Sequence, residues 1–293
     1  MISIVIPVLN EAEMIGDLLE HLSKNSTQKN ISNIIMVDGG SSDGTQDIVS
    51  KFITLSDFED VEKWRVDTPR QNYREVANNA LSHKILDKNS GKVSRLSISK
   101  IMKGPETCSG LANQAKVVLL DSPKGRARQM NFGAKHAQGS ILYFLHADAF
   151  PPKNFDELII NEVKKGNNAG CFRMQFNSKH WWLRLASWLT QFSWRACRGG
   201  DQSQFITKAL FEEIGGYDEN YIIYEDNILI NELYKRREFV VINKKVRTSA
   251  RLYKKVGIWK LQYHFWAIYV KRWFGATADE LLTYYKKNIS SCN

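Results

Sequence analysis

The chain has 293 residues, of which 43% are apolar, enough for one sizeable core, and its net charge of +10 fits either an anionic partner or an ordinary solvated surface. Its four cysteines show no CxxC spacing, which disfavours a zinc site or a disulfide framework and predicts free thiols in a reducing, cytoplasmic environment. The N-terminus lacks the features of a signal peptide, and no apolar run reaches the roughly 18 residues of a membrane span.

Short apolar strands alternate with helices along the first part of the chain. We predict strands at 2–7, 33–37, 116–121 and 140–145 and helices at 10–24, 45–53 and 125–138. This alternation indicates βαβ crossovers, hence an α/β fold with a mostly parallel sheet. In such sheets ligands bind beyond the carboxyl ends of the strands, where this sequence places polar turns.

Residues 56–115 interrupt the alternation. They are polar, rich in Lys and Ser, and only weakly periodic, with one candidate helix at 75–86. A stretch of this length inside a compact domain is typical of a functional or disordered segment. We therefore predict a long, flexible polar insertion.

The second half of the chain is less regular. The pattern predicts a helix after Pro152, strands at 170–176, 203–207 and 239–242, and helices at 181–194, 208–214 and from 225 onward. A last helix at 257–274 carries aromatic residues with Lys and Arg between them. Core packing is the favoured interpretation of this helix, and a peripheral membrane contact is the alternative. We divide the chain into a domain at 1–245 and a C-terminal aromatic and basic helical segment at 246–293.

Two aspartates follow predicted strands directly. Asp148, in "HAD" after the fourth strand, could hold a divalent cation whose remaining ligands are substrate phosphates and water. A turn or helix-capping aspartate is the alternative. Asp38, in "VDGGSSDGT", could accept hydrogen bonds from a base or ribose, or could only bond its own turn.

Charged side chains also mark the starts of two predicted helices. Lys124 and Arg126 lie at the start of a helix whose N-terminus favours anions, and Asn131 lies one turn further in, where it could face the same cleft. Ordinary surface charge is the alternative. Glu225 and Asp226 open another helix, where the macrodipole alone favours acids. A general base there would deprotonate an attacking hydroxyl.

Five segments, in this order, resemble the GT-A glycosyltransferases of family 2: "SIVIPVLNEAEMI", "IIMVDGGSSDGT", "GRARQMNFGA", "GSILYFLHADAFPP" and "GGYDENYIIYEDNIL". The resemblance covers most of 1–55 and 116–240. "GRARQMN" with "FLHAD" is most similar to the subgroup labelled arsenosugar-biosynthesis glycosyltransferases. The resemblance implies a GT-A (Rossmann-like) sheet flanked by helices. It also implies hexosyl transfer from a nucleotide sugar to an acceptor hydroxyl by a single inverting displacement, and we expect the donor to be UDP-linked.

The resemblance also implies roles for individual residues. The donor nucleotide sugar would be bound by Pro7, Asn10, Glu11, Asp38, Lys124, Arg126, Asn131 and Asp148. Asp148 would bind Mn²⁺ or Mg²⁺, although the acid that opens the family's motif is replaced here by His146. Asp226 would be the catalytic base with Glu225 beside it. Asp201 and Gln202, in "GGDQSQF", would line the acceptor side.

Two rival interpretations concern other classes of protein. One is a catalytically inactive GT-A-fold protein that binds membranes or nucleic acid, suggested by the net charge and the helix at 257–274. The other is a sugar-phosphate nucleotidyltransferase, which is disfavoured because "PVLNEAEMI" has no glycine before Gly16. We expect no nucleic-acid partner, and we leave open whether the acceptor is a small molecule or lipid-linked.

Overall fold

The computed structural model describes residues 1–56 and 116–289. Nearly all of the predicted insertion at 56–115, including its candidate helix at 75–86, lies outside these ranges. The predictions made for that segment therefore stay predictions.

Within the described residues, eight strands form one sheet with the order β3-β2-β1-β4-β7-β6-β8-β5. The strands are β1 (Ile2–Val8), β2 (Ile31–Asp38), β3 (Lys116–Asp121), β4 (Ile141–Phe144), β5 (Ala149–Phe150), β6 (Ala169–Phe176), β7 (Gln204–Thr207) and β8 (Val240–Thr248). The α-helices are α1 (Ala12–Asn25), α2 (Thr45–Ser56), α3 (Arg126–Lys135), α4 (Phe155–Lys164), α5 (Trp181–Leu189), α6 (Lys208–Ile214), α7 (Glu225–Lys235), α8 (Arg251–Val256), α9 (Ile258–Trp273) and α10 (Ala278–Asn288).

The first half of the sheet is parallel, as the βα alternation predicts. β1 pairs in parallel with β2 and β4, and β2 pairs in parallel with β3. Ile2, Ile4 and Ile6 of β1 lie in one core cluster, whereas Val5 lies in the cluster on the opposite face, so β1 is covered on both sides. α3 packs closely on one face of the sheet. The contact is close enough that a side chain added at Gly133 would clash with Val5. The ends of these strands form the edge where the site lies.

The second half of the sheet is mixed. β7 is antiparallel to β4 and β6, β8 is parallel to β6, and β5 is antiparallel to β8. β8 continues to Thr248, so its predicted end at Ile242 is wrong by six residues. The polar run that follows Ile242 resembles a loop, yet Val246 and Thr248 are buried. The division at 245 falls inside this strand and stays a prediction.

The aromatic helix predicted at 181–194 is shorter in the structure. α5 ends at Leu189, because the chain folds back onto β6 at this point. The backbone N–H of Met174 donates to Thr190 Oγ1 at 3.0 Å, and the Thr190 hydroxyl donates to the Ser187 carbonyl at 2.6 Å. Through these two hydrogen bonds, Thr190 ends the helix instead of extending it.

The last three helices form a cluster of their own. Leu261 and Ile268 of α9 are buried against Leu281 of α10 and Ile289. The predicted helix at 257–274 agrees with α9, but core packing accounts for only one of its faces. In the two described ranges, every helix is too short or too polar to cross a bilayer.

Candidate active site

The loops that follow β1 and β2 are hydrogen-bonded to each other. The backbone N–H of Asn10 donates to Ser41 Oγ at 2.9 Å, and that of Ser42 donates to Asn10 Oδ1 at 2.9 Å. The backbone N–H of Glu11 donates to Thr45 Oγ1, also at 2.9 Å. Asn10 has a φ of +58°, a left-handed conformation that Asn tolerates better than most residues. These bonds fix the backbone that carries Glu11.

Asp38 is buried at the end of β2. Its Oδ2 accepts hydrogen bonds from the backbone N–H groups of Gly40 at 3.1 Å and Ser41 at 2.9 Å. The Ser41 hydroxyl and the Gln46 amide also donate to this carboxylate. Asp38 therefore bonds its own turn, as the alternative interpretation expected. A base or ribose that contacts Asp38 would have to replace one of these hydrogen bonds. The predicted contact with the nucleotide stays a prediction.

Gln129 is a buried residue that the sequence analysis missed. Its Nε2 donates to the Val8 carbonyl at 2.9 Å and to the Val37 carbonyl at 2.7 Å. A side chain on Gly39 would come within 3.0 Å of the same nitrogen. Gln129 thus ties α3 to the carboxyl ends of β1 and β2. The sequence gives no signal for this role, because a lone Gln in a helix is most often exposed.

Glu225 and Asp226 form a buried acid pair at the start of α7. Nη1 of Arg126, the first residue of α3, lies 3.2 Å from Glu225 Oε1 and 3.9 Å from Asp226 Oδ2. Burial raises the pKa of Asp226 to about 7; the charge of Glu225 adds to the rise and that of Arg126 opposes it. The structure therefore brings together three residues predicted from separate parts of the chain.

His146 lies among the acids, at the position where the family motif has its first acid. Its Nδ1 is 3.9 Å from Asp201 Oδ1, and its Nε2 is 4.0 Å from Asp226 Oδ2. Burial, together with the nearby Arg126 charge, lowers the pKa of His146 to about 3, so the ring is neutral. A side chain on Gly200 would overlap Asp226 Oδ2 and lie 3.0 Å from His146 Cε1. Only glycine fits there, and the sequence analysis assigned Gly200 no role.

Asp148 and Asp201 add further acids to this cluster. Burial raises the pKa of Asp148, although the charges of Arg251 and Arg126 oppose the rise. Surrounding protein raises the pKa of Asp201 to about 6, with added repulsion from Asp148, even though 58% of its side-chain surface stays accessible. Neither Asp148 carboxylate oxygen is within ion-pair distance of a basic group in the part of the chain that the structure describes. The cluster thus carries more negative charge than its arginines balance.

The metal-binding prediction concerns Asp148. In residues 1–56 and 116–289, no three His, Cys, Asp or Glu side chains converge as a ready-made metal cage. A hard divalent cation held by one or two carboxylates completes its shell with phosphate oxygens and water. The partly exposed Asp148 and its acidic surroundings fit a cation of this kind, and they do not fit one held by protein ligands alone.

Glu11 forms an ion pair with an arginine that was not predicted. Arg251 Nη2, at the start of α8, lies 2.7 Å from Glu11 Oε1 and also contacts Oε2. Burial raises the pKa of Glu11, and the Arg251 charge opposes this rise. The C-terminal segment therefore contributes to the same edge of the sheet as the first loop. Nothing in "TSARLYK" marks Arg251 among the other cations of that segment.

Asn131 does not present its side chain to this cluster. Its Nδ2 donates to the Tyr217 carbonyl and to Glu219 Oε1, both at 2.9 Å, and its Oδ1 accepts from the Tyr217 N–H at 2.9 Å. These contacts fasten α3 to the loop before α7. Asn131 has a structural role here, so the predicted contact with the donor finds no support in its geometry.

Gln202 is likewise used inside the protein. It is buried, its Oε1 accepts from Arg198 Nη1 at 2.6 Å, and its Nε2 donates to the Cys197 carbonyl. Its predicted acceptor contact stays a prediction, whereas its neighbour Asp201 faces the cluster, with Oδ1 3.9 Å from His146 Nδ1. Of the remaining predicted residues, Lys124 is exposed before α3 and Pro7 is half-buried beside Val37.

The comparison with protein families agrees with this arrangement. The sequence model of Glycosyl transferase family 2 matches residues 3–82 and 103–221, which is more than half of the chain. The chain belongs to glycosyl transferase family 2. The matched ranges contain Asp38, Arg126, Asp148 and Asp201, and they end before the acid pair of α7.

Solved structures of two other proteins share the fold of this family 2 chain. S. aureus TarS 1–349, in complex with UDP, aligns over 85% of this chain and 60% of its own, with 13% identity and a TM-score of 0.52. Mannosyltransferase PcManGT from Pyrobaculum calidifontis, in complex with GDP-Man and Mn²⁺, aligns over 99% of this chain and 64% of its own, with 17% identity and a TM-score of 0.53. The predicted GT-A fold is confirmed.

A sequence relative agrees over a short stretch. Glycosyltransferase AglE from Haloferax volcanii is 39% identical over 56 residues, which is 19% of this chain and 18% of the relative. The family 2 chain thus spans less than two thirds of the length of each of these three proteins.

Proposed function

We propose that this family 2 glycosyltransferase transfers a hexose from a UDP-linked donor to an acceptor hydroxyl with inversion of configuration. The observation that carries the proposal is the buried Glu225–Asp226 pair, joined to Arg126 at the edge where the parallel strands end. Ligands of doubly wound sheets bind at this edge. The similar structures with UDP and with GDP-Man support a nucleoside diphosphate donor.

Asp226 is the general base in this proposal. Its pKa of about 7 suits a carboxylate that takes a proton from an attacking hydroxyl near neutral pH. The acceptor oxygen attacks the anomeric carbon, the bond to the diphosphate breaks, and the diphosphate leaves with the bonding electrons. A single displacement of this kind inverts the anomeric configuration. Glu225 is hydrogen-bonded to Arg126 and positions that arginine beside the base.

Arg126 supplies positive charge to the leaving diphosphate. Its guanidinium contacts Glu225, but 49% of its side-chain surface stays accessible, so it can contact a phosphate and Glu225 together. Lys124, exposed two residues earlier, is the second candidate for phosphate binding. Pro7, Asn10, Glu11 and Asp38 form the nucleotide side of the proposal.

A divalent cation, Mn²⁺ or Mg²⁺, would be held by Asp148. When bound, it supplies charge that stabilises the diphosphate as a leaving group. Asp148 lacks an ion-pair partner among the described residues, and its raised pKa reflects a charge that burial disfavours. The Mn²⁺ in the similar mannosyltransferase structure supports this part of the proposal. The narrower resemblance to the arsenosugar-biosynthesis subgroup stays a prediction.

The test is a calorimetric titration with UDP and with GDP, each in Mn²⁺ and in EDTA. We expect UDP to bind more tightly than GDP, and we expect EDTA or Asp148→Asn to weaken its binding at least tenfold. Asp201→Asn is the matched control, because it removes a neighbouring acid that the proposal does not assign to the metal. Equal loss in both variants would contradict a specific role for Asp148.

A second measurement separates activity from binding. Release of UDP from UDP-linked hexoses should be detectable with the wild type and strongly reduced in Asp226→Asn. Binding of neither nucleotide, together with no UDP release, would favour the catalytically inactive binder instead.

A further inference from the structure

α9 carries an apolar stripe that remains exposed along its whole length. Trp259, Tyr263, Trp266, Val270 and Trp273 are 52%, 63%, 49%, 48% and 85% exposed. Their spacing of four and three residues places them on one side of the helix. The opposite side holds the buried Leu261 and Ile268. The helix is therefore apolar on two faces, and only one of them is packed.

α5 adds a second exposed stripe beside the first. Trp181, Leu185 and Trp188 recur at the same spacing and are 60%, 38% and 51% exposed. The ring centroids of Trp181 and Trp259 are 5.7 Å apart, and those of Trp182 and Trp259 are 5.3 Å apart. The two stripes thus begin side by side. We call them together the tryptophan surface.

The charge around the tryptophan surface has one sign. No Asp or Glu occurs between Glu162 and Asp201 or between Glu238 and Asp279, although both stretches hold many Lys and Arg residues. Lys254, Lys255 and Lys260 are exposed at or just before the start of α9. An apolar surface carried by two stretches that hold cations and no acids is complementary to an anionic partner that has an apolar interior.

We propose that the tryptophan surface docks onto an anionic lipid bilayer, with α5 and α9 lying in the plane of the interface. Trp and Tyr favour the boundary between lipid tails and headgroups, and Lys and Arg bind anionic headgroups. A second copy of the chain fits less well, because a self-complementary contact would bring its cations together. A nucleic acid would not use the aliphatic Leu185 and Val270.

Both helices of this surface are connected to the helix that carries Asp226. The Tyr269 hydroxyl of α9 donates to Asn227 Oδ1 at 3.3 Å, and Arg195, which follows α5, donates to the same oxygen at 3.0 Å. Docking would therefore place the acid cluster close to the bilayer. The docking itself does not depend on the proposed transfer reaction.

The test is flotation of the full chain with phosphatidylcholine vesicles that contain or lack phosphatidylglycerol. We expect flotation with the anionic vesicles and at least tenfold weaker binding to the neutral ones. Trp273→Ser with Phe274→Ser should weaken binding at least tenfold, since both side chains are more than four-fifths exposed and their loss leaves the core intact. Lys254→Gln with Lys255→Gln should also weaken it at least tenfold, at about fivefold per cation near the surface. The matched control, Lys164→Gln with Lys165→Gln at the C-terminal end of α4, should bind within twofold of the wild type.

Three results would overturn the proposal: no flotation with either vesicle, binding to a single-stranded oligonucleotide but not to vesicles, or equal loss in the control pair. Titration of UDP into the same samples keeps the two proposals separate. Variants that bind UDP normally but do not float support the docking surface. Flotation of a chain that binds no nucleotide would also support it, and would count against the proposed function alone.

Discussion

The two sides of the candidate active site are stabilised in different ways. On the side proposed to bind the nucleotide, Asp38, Asn10 and Gln129 are bonded to backbone groups of neighbouring loops and strands. On the reaction side, Asp201 and Asp226 have raised pKa values because burial and repulsion oppose their charges. The hydrogen bonds of the first side stabilise the conformation of its loops. The raised pKa values of the second side leave its carboxylates able to take up a proton or bind a cation. Four predictions test this difference between the two sides.

The largest effect is expected for Asp226→Asn. An amide of the same shape cannot accept the acceptor proton, so we expect turnover to fall by about 10²–10⁴-fold, the range for loss of a general base. UDP affinity should stay within about threefold, because the variant leaves the nucleotide side intact. Steady-state UDP release and calorimetry measure the two quantities. A variant with full turnover would show that the base lies elsewhere.

The next effect concerns stability on the nucleotide side. Gln129→Leu removes both buried hydrogen bonds of the amide, to the Val8 and Val37 carbonyls, although the Val8 carbonyl keeps its bond from the Gly39 N–H. We expect the free energy of unfolding to fall by about 1–3 kcal/mol, since each of the two lost hydrogen bonds contributes about 0.5–1.5 kcal/mol. Urea unfolding followed by circular dichroism measures this, with the exposed Asn161→Leu on α4 as the control. Equal stability of both variants would mean that the Gln129 hydrogen bonds do not stabilise the ends of β1 and β2.

The pH dependence of turnover tests the reaction side. The pKa of Asp226 is raised to about 7, so the carboxylate stays protonated and inactive at pH values well below 7. We expect the rate to rise about tenfold per pH unit up to pH 7 and then to level off. Arg126→Gln should move this rise to higher pH, because it removes a charge that favours the ionised base. A rate that is constant from pH 5 to 8 would contradict this assignment.

The smallest effect is expected for Arg251→Gln. The Glu11–Arg251 pair is partly exposed, and pairs of this kind contribute about 0–1 kcal/mol. We expect UDP binding about fivefold weaker, because Glu11 and Asp148 would lose a neighbouring cation. Arg236→Gln, which breaks a surface pair with Glu213, is the control and should leave UDP binding unchanged. Equal UDP affinity of the Arg251 and Arg236 variants would mean that Arg251 of the C-terminal segment does not contribute to UDP binding.

The parallel half of the fold was predictable because each of its strands is a continuous apolar run. The predicted strand at 116–121 agrees with β3 at both ends. β8 was predicted too short, because only Val246 and Thr248 of its last residues point inward. α5 was predicted too long, because apolar periodicity does not register a hydroxyl such as that of Thr190 bonding back to the backbone.

The site was predictable where a residue type follows a strand or opens a helix. Asp148, Asp226 and Arg126 were found in this way, and the structure brings the last two within 3.9 Å of each other. Gln129, Gly200 and Arg251 were missed because their roles depend on contacts with distant parts of the chain. Asn131 was predicted to face the cleft from its position in α3, and its contact with the donor stays a prediction, although its amide is bonded to the loop before α7.

The Glu11–Arg251 ion pair joins residues that are 240 positions apart in the chain. During synthesis, Glu11 leaves the ribosome long before its partner has been translated. A nascent chain therefore has the β1 and β2 loops in place while Glu11 still lacks its cation. The pair forms only after α8 has emerged, so a ribosome-released fragment that stops before Arg251 would contain all eight described strands but would lack the cation beside Glu11.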